Sequence, residues 1–153
     1  MARGTRPVTT VIDESVTCAI LADRNSALAD RLRELLRTTV GTVFTVTDCE
    51  SLLEGVRRLS PGLVLVDLGF GEQGATQLLR EINSVLPTAK LVALSLYDDP
   101  VVAQTALAEG ASGVVLKRSI GDDLLAAVDT VLAGGTFVSS CFESDADATS
   151  PTA

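Results

Sequence analysis

The sequence contains no histidine. That absence removes the commonest general base, the commonest zinc ligand and every Ser–His or Cys–His nucleophile pair. Positive charge is also scarce. The formal net charge is −8, which leaves no basic excess for a nucleic-acid backbone and little attraction to an anionic membrane surface. No apolar run approaches the roughly 18–20 residues that a membrane-spanning helix needs. The first fifteen residues are polar and mixed in charge, without the apolar centre of a secretory signal. The cysteines, Cys18, Cys49 and Cys141, are odd in number and form no C-x-x-C. They read as reduced thiols of a cytoplasmic protein.

What is present suits one domain. The chain has 153 residues, 46% of them apolar, enough to bury a core without disulfide or metal staples. Residues 1–15 read as a flexible N-terminal arm, 16–138 as the folded domain and 139–153 as a disordered acidic tail, since the tail is small, polar and acidic. Within the domain, short apolar runs alternate with helical stripes. Val16 to Ala22 reads as a strand, and Leu28, Leu32, Leu35 and Leu36 mark one buried helix face. Val43 to Thr47 is a second strand, followed by the stripe Leu52, Leu53, Val56, Leu59 and the stop Ser60-Pro61-Gly62. Leu63 to Val66 is apolar at every position, as a strand covered on both faces should be. Leu78, Leu79, Ile82 and Val85 mark the third helix, and Leu91 to Leu94 the fourth strand. A weaker helix over Val101 to Glu109 ends at Gly110, a natural left-handed cap. Val114 to Leu116 is a fifth strand, and Leu124, Leu125, Val128 and Leu132 stripe the fifth helix. Five β-α units predict an α/β fold, a doubly wound parallel sheet of five strands.

In such a sheet, ligands bind outside the carboxyl ends of the strands, near the point where strand order reverses. Those ends carry Asp23-Arg24, Asp67, Ser95 and Lys117-Arg118. Each has a plain alternative: either aspartate could cap the next helix, Ser95 could be an ordinary strand-end hydroxyl, and Lys117 a solvated surface charge. Together they are what a metal-assisted phosphoryl site needs. Carboxylates hold a hard cation, one carboxylate is a potential nucleophile, and a hydroxyl with an ammonium can meet phosphoryl oxygens. A second reading competes at the same place. In "DLGFGEQG", Gly69, Gly71 and Gly74 spell the G-x-G-x-x-G of a dinucleotide site, and Asp98 lies where a ribose-binding acid could fall. Against it, the motif sits in the third β-α unit rather than the first, Asp67 would repel a pyrophosphate, and no second domain remains for a substrate.

The segments "AILADRNSALADRLRELL", "PGLVLVDLGF", "LVALSLYDD" and above all "ALAEGASGVVLKRSIGDDLLAAVDTVLAGGTFVS" resemble the receiver domain of two-component response regulators. The last looks closest to receivers joined to LuxR-type helix-turn-helix output domains. The resemblance implies a flavodoxin-like (βα)5 fold with strand order 2-1-3-4-5 and a signalling protein, not an enzyme in its own right. It puts the phosphoacceptor on Asp67, with Lys117 and Ser95 assisting. It implies Mg²⁺ held by Asp23, Asp67 and the backbone carbonyl of Gly69. The implied partners are a sensor histidine kinase or phosphotransfer protein and a downstream protein, with a homodimer through the face of helix four, strand five and helix five. The acidic balance and the lack of a long apolar run predict no nucleic acid bound by this chain and no membrane.

The chain departs from that pattern in three places. Where the family has a second acid after the first strand stands Arg24, a change of two charge units; at ~4 Å and an effective dielectric near 20, each unit matters by roughly 4 kcal/mol to a divalent ion before screening. Arg24 either points into solvent or pairs with Asp67 in place of the cation. The loop after Asp67 has Phe70-Gly71 instead of Met-Pro, and Val114 stands where the family's switch aromatic belongs. These changes predict an atypical receiver. With only sixteen residues after Phe137, the reading is a stand-alone receiver signalling by protein contact. The alternatives are the receiver fragment of a DNA-binding regulator, or an adaptor that has lost the phosphorylation switch.

Overall fold

The computed structural model describes residues 18–70, 75–140 and 142. The order is β1 (Cys18–Ala22), α1 (Ser26–Leu36), β2 (Thr42–Val46), α2 (Cys49–Leu59), β3 (Leu63–Asp67), α3 (Ala75–Val85), β4 (Lys90–Ser95), α4 (Pro100–Ala108), β5 (Gly113–Leu116), α5 (Ile120–Leu132) and β6 (Phe137–Val138), with a 3₁₀ turn over Lys117–Ser119 before α5.

Local chemistry sets the helix boundaries. Asn25 caps α1, its side chain accepting from the Leu28 N–H, and Asp48 caps α2 through the Ser51 N–H. Asp99 caps α4, and Pro100 fills a first-turn position where its missing N–H costs nothing. Ser60 ends α2 in the left-handed region at φ 45°, and Pro61 then forbids continuation.

All strands run parallel in the order β2-β1-β3-β4-β5-β6. Ile20, Ala22, Val64 and Val66 face α2, α3 and α4 through Leu52, Val56, Leu79, Ile82, Ala103 and Ala106. Ala19, Leu21, Leu63 and Leu65 face α1 and α5 through Leu32, Leu36, Leu124 and Val128. A sheet buried on both faces explains why the strands read as continuous apolar runs. The order reverses between β1 and β3, so their carboxyl ends flank the crevice where polar residues can gather.

The expected order 2-1-3-4-5 is found with one correction: the sheet has six strands. β6 adds in parallel to β5, with Gly113 opposite Phe137 and Val114 opposite Val138. Two residues carry no periodic signal, which is why the sequence did not reveal it. Two residues assigned to the acidic tail are also part of the fold: Ser139 is 0% and Phe142 2% exposed. The N-terminal arm and residues 143–153 lie outside the described residues, as do Gly71 and Gly74 of the glycine motif.

Candidate phosphoryl site at the sheet's switch point

β1 ends at Ala22 and turns at once through Asp23. Asp23 is 2% exposed. One of its oxygens, Oδ1, accepts the Asn25 N–H at 2.9 Å. The other, Oδ2, accepts no hydrogen bond but forms an ion pair with Lys117 Nζ at 3.1 Å. Asp67 is the last residue of β3, and its Oδ1 accepts the Gly69 N–H at 3.1 Å. The same oxygen lies 3.1 Å from Lys117 Nζ. Lys117 leaves β5 at its carboxyl end, so one ammonium bridges two carboxylates that arrive from two other strands. This settles three of the alternatives. Asn25, not Asp23, caps α1, and Asp67 stands well before α3 begins at Ala75. Lys117 is no solvated surface charge, because its side chain is only 10% exposed.

Ser95, at the end of β4, is buried but turned elsewhere. Its hydroxyl donates to the Tyr97 carbonyl at 2.7 Å and accepts the Tyr97 N–H at 3.1 Å. Ser95 and Asp67 nevertheless line one cleft of about 340 Å³, with Gly69, Tyr97, Val101 and Thr105. The cleft is mostly apolar, and beside it Leu96, Tyr97 and Val101 are 61%, 72% and 63% exposed.

Arg24 is exposed, as one of the two expectations had it, and it does not pair with Asp67. Its guanidinium carbon stands 5.9 Å from the ring centroid of Phe70, a cation–π placement, and among the described residues it makes no ion pair with Asp67. Phe70 is 1% exposed and belongs to the core cluster on the α2–α4 side of the sheet. Its amide returns to the Asp67 carbonyl at 2.9 Å. The loop aromatic thus gives Arg24 a partner away from the carboxylates. Nothing in the sequence signalled this pairing, because it depends on which way Phe70 faces.

Two carboxylates and a carbonyl-bearing loop suit a hard divalent cation by donor type, since magnesium commonly uses one or two carboxylates and keeps its waters. The buried Asp23 Oδ2, with no hydrogen bond of its own, fits that use. A third acid is missing: no group of three His, Cys, Asp or Glu residues stands together among the described residues. The glycine motif fits its own ligand less well. The Gly69 amide, the first a pyrophosphate could use, already donates to Asp67.

This arrangement of two acids, a lysine and a strand-end hydroxyl on a 2-1-3-4-5 sheet defines a receiver. The chain belongs to the response regulator receiver domain family, which it matches over residues 19–129. It is 28% identical over 123 residues to the transcriptional regulatory protein MctR of Rhizobium johnstonii, covering 79% of this chain and 58% of that one. It is 30% identical over 118 residues to the transcriptional regulatory protein LnrK of Bacillus subtilis, covering 76% and 54%. The chain spans about half the length of these curated relatives. Among solved structures it resembles a LuxR-family response regulator from Aurantimonas with TM-score 0.79 at 22% identity, covering 88% of this chain and 97% of that one. It resembles the isolated receiver domain of RcsB from Salmonella enterica with TM-score 0.76 at 20% identity, covering 83% and 96%. At these identities the two structures attest the fold.

Proposed function

We propose that this receiver accepts a phosphoryl group on Asp67 from a histidine kinase or phosphotransfer protein and signals by protein contact. The reading rests on one observation: Lys117 Nζ lies 3.1 Å from both Asp23 and Asp67 at the switch point. An Asp67 oxygen attacks phosphorus; the P–O bond forms as the P–N bond to the partner's imidazole breaks, and the imidazole keeps the electron pair. The product is an acyl phosphate. Its added negative charge draws Lys117 from Asp23 onto the phosphoryl oxygens. Ser95, lining the same cleft, gives up Tyr97 and donates its hydroxyl to the phosphoryl group. That frees the loop bearing Leu96 and Tyr97, whose exposure suits them to a protein partner.

Asp23, Asp67 and the Gly69 carbonyl would hold Mg²⁺, which supplies charge neutralisation at the transferring phosphoryl group. With Arg24 in place of a second acid beside Asp23, that binding is weak. Among the described residues no helix is long and apolar enough to cross a membrane, and a cytoplasmic setting agrees with a kinase partner. A homodimer through α4, β5 and α5 is the proposed assembly, and dimerisation is general to the family.

Two further readings each have an observation behind them. The curated relatives are transcriptional regulators about twice as long as the matched region, which favours a receiver that works as part of a DNA-binding regulator; one relative, RcsB, is described as dimers bound to DNA. Arg24 resting on Phe70 favours an adaptor that keeps the fold without the switch. Mass measurement after incubation with acetyl phosphate and Mg²⁺ separates the phosphoacceptor from the adaptor. An adduct of about 80 Da on wild type and none on Asp67→Ala supports the phosphoacceptor. No adduct at any metal concentration leaves the adaptor.

A further inference from the structure

Beyond α5 the chain folds back as a strap along β5. The amides of Phe137 and Ser139 donate to the Ser112 and Val114 carbonyls, each at 3.0 Å. One side chain locks the strap. The fully buried Ser139 Oγ accepts the Leu116 N–H at 3.0 Å and donates to Asp123 Oδ2, in the first turn of α5, at 2.7 Å. Past the lock, the Phe142 ring enters the core cluster that holds Val114, Leu116 and Phe70. The position where the resemblance implies a switch aromatic is Val114, 0% exposed. The large aromatic on this side of β5 comes from the strap instead.

The lock grips a sensitive point. Leu116 immediately precedes Lys117 and is the register partner of Ser95. Register partners in a parallel sheet share a face, so Ser95 and Leu116 lie side by side above α4. If Ser95 turns from Tyr97 toward a loaded Asp67, it vacates volume beside Leu116. A close-packed interior does not keep such a void; Leu116 resettles and carries with it the amide that Ser139 holds.

We propose that the strap of Phe137, Val138, Ser139 and Phe142 is a releasable output element: the Ser139–Asp123 lock holds it down in the unloaded state, and loading of Asp67 frees it through Ser95 and Leu116. Release withdraws Phe142 and uncovers the edge of β5 between α4 and α5. The device has two arrangements, docked and free, as a coupling element requires. Its trigger rests on the phosphoacceptor reading; the lock does not.

Hydrogen–deuterium exchange on the full chain tests both parts. Ser139→Ala and Asp123→Ala should each speed exchange at Phe137, Ser139 and Phe142 by about tenfold, the factor that losing one ordinary hydrogen bond gives, while β1 and β3 amides keep their protection. Asp123→Ala, on a partly exposed turn, serves if Ser139→Ala does not fold. Wild type with acetyl phosphate and Mg²⁺, its adduct mass read on the same sample, should show the same acceleration. Adduct present with strap exchange unchanged overturns the proposal, as does unchanged exchange in the folded lock variants. If no adduct forms, the phosphoacceptor reading falls separately and release by phosphorylation falls with it, while faster exchange in the variants still upholds the lock.

Discussion

Lys117 is the residue on which the site turns. One ammonium serves two carboxylates that are 1% and 13% exposed, so the trio carries a net charge of −1 and invites a further cation or an oxygen-rich group that Lys117 can follow. Arg24 decides how strong that invitation is. Arg24→Asp would restore a third acid and give up a cation–π contact worth about 0.5–1 kcal/mol at an exposed site. We expect Mg²⁺ affinity, measured by isothermal titration calorimetry, to rise at least about tenfold, well within the roughly 4 kcal/mol per charge that a nearby acid can exert before screening. Unchanged affinity would mean that position 24 lies outside the metal's reach. At this scale the sequence named the acids and the lysine, because strand ends in this sheet converge on one rim. It could not tell that Ser95 faces Tyr97, nor that Phe70 holds Arg24, because both depend on side-chain direction in loops without a period.

Among the elements, α3 and α4 are clamped by a contact that no strand pattern announces. Arg80 Nε and Nη2 reach the two Glu109 oxygens at 2.6 and 2.9 Å, a bidentate pair between α3 and the end of α4. The Arg80 guanidinium holds the Glu109 carboxyl below its ordinary value of 4.5, chiefly by hydrogen bonding. A depressed folded pKa stabilises above the unfolded value, and the contribution disappears as pH falls through the folded one. The wild-type melting temperature should therefore drop below pH 4.5 more steeply than that of Arg80→Ala in matched thermal scans; parallel profiles would show that the clamp contributes nothing. Next to it, Gly110 at φ +120° lies against Asn83, where a Cβ would meet the Asn83 side chain at 3.1 Å. The glycine marked as a helix stop thus also lets α3 and α4 approach. Helix existence was legible from apolar spacing, whereas the clamp was not, since Arg80 and Glu109 lie 29 residues apart.

For the whole molecule, two buried faces on one parallel sheet explain both what was readable and what was missed. Continuous apolar strands and striped helices identified the α/β class, and the family resemblance implied the order of the first five strands. The sixth strand, two residues long, left no pattern, yet it changes the boundary of the fold by bringing Ser139 and Phe142 inside. The face proposed for dimerisation is therefore partly occupied by the strap that follows α5. Sedimentation at rising concentration should show Ser139→Ala dimerising more tightly than wild type; equal constants would argue that the strap and the dimer face are independent.

The short sixth strand has one more consequence. Gly113 to Leu116 is 0% exposed at Val114, Val115 and Leu116, and among the described residues Phe137, Val138 and Ser139 shield its outer backbone. A chain cut before Phe137 would present that row of unpaired amides and carbonyls, flanked by valines, as a sticky border to every other molecule in the tube. Such a truncation should precipitate, or build thioflavin-positive ribbons, at concentrations where the intact chain stays clear.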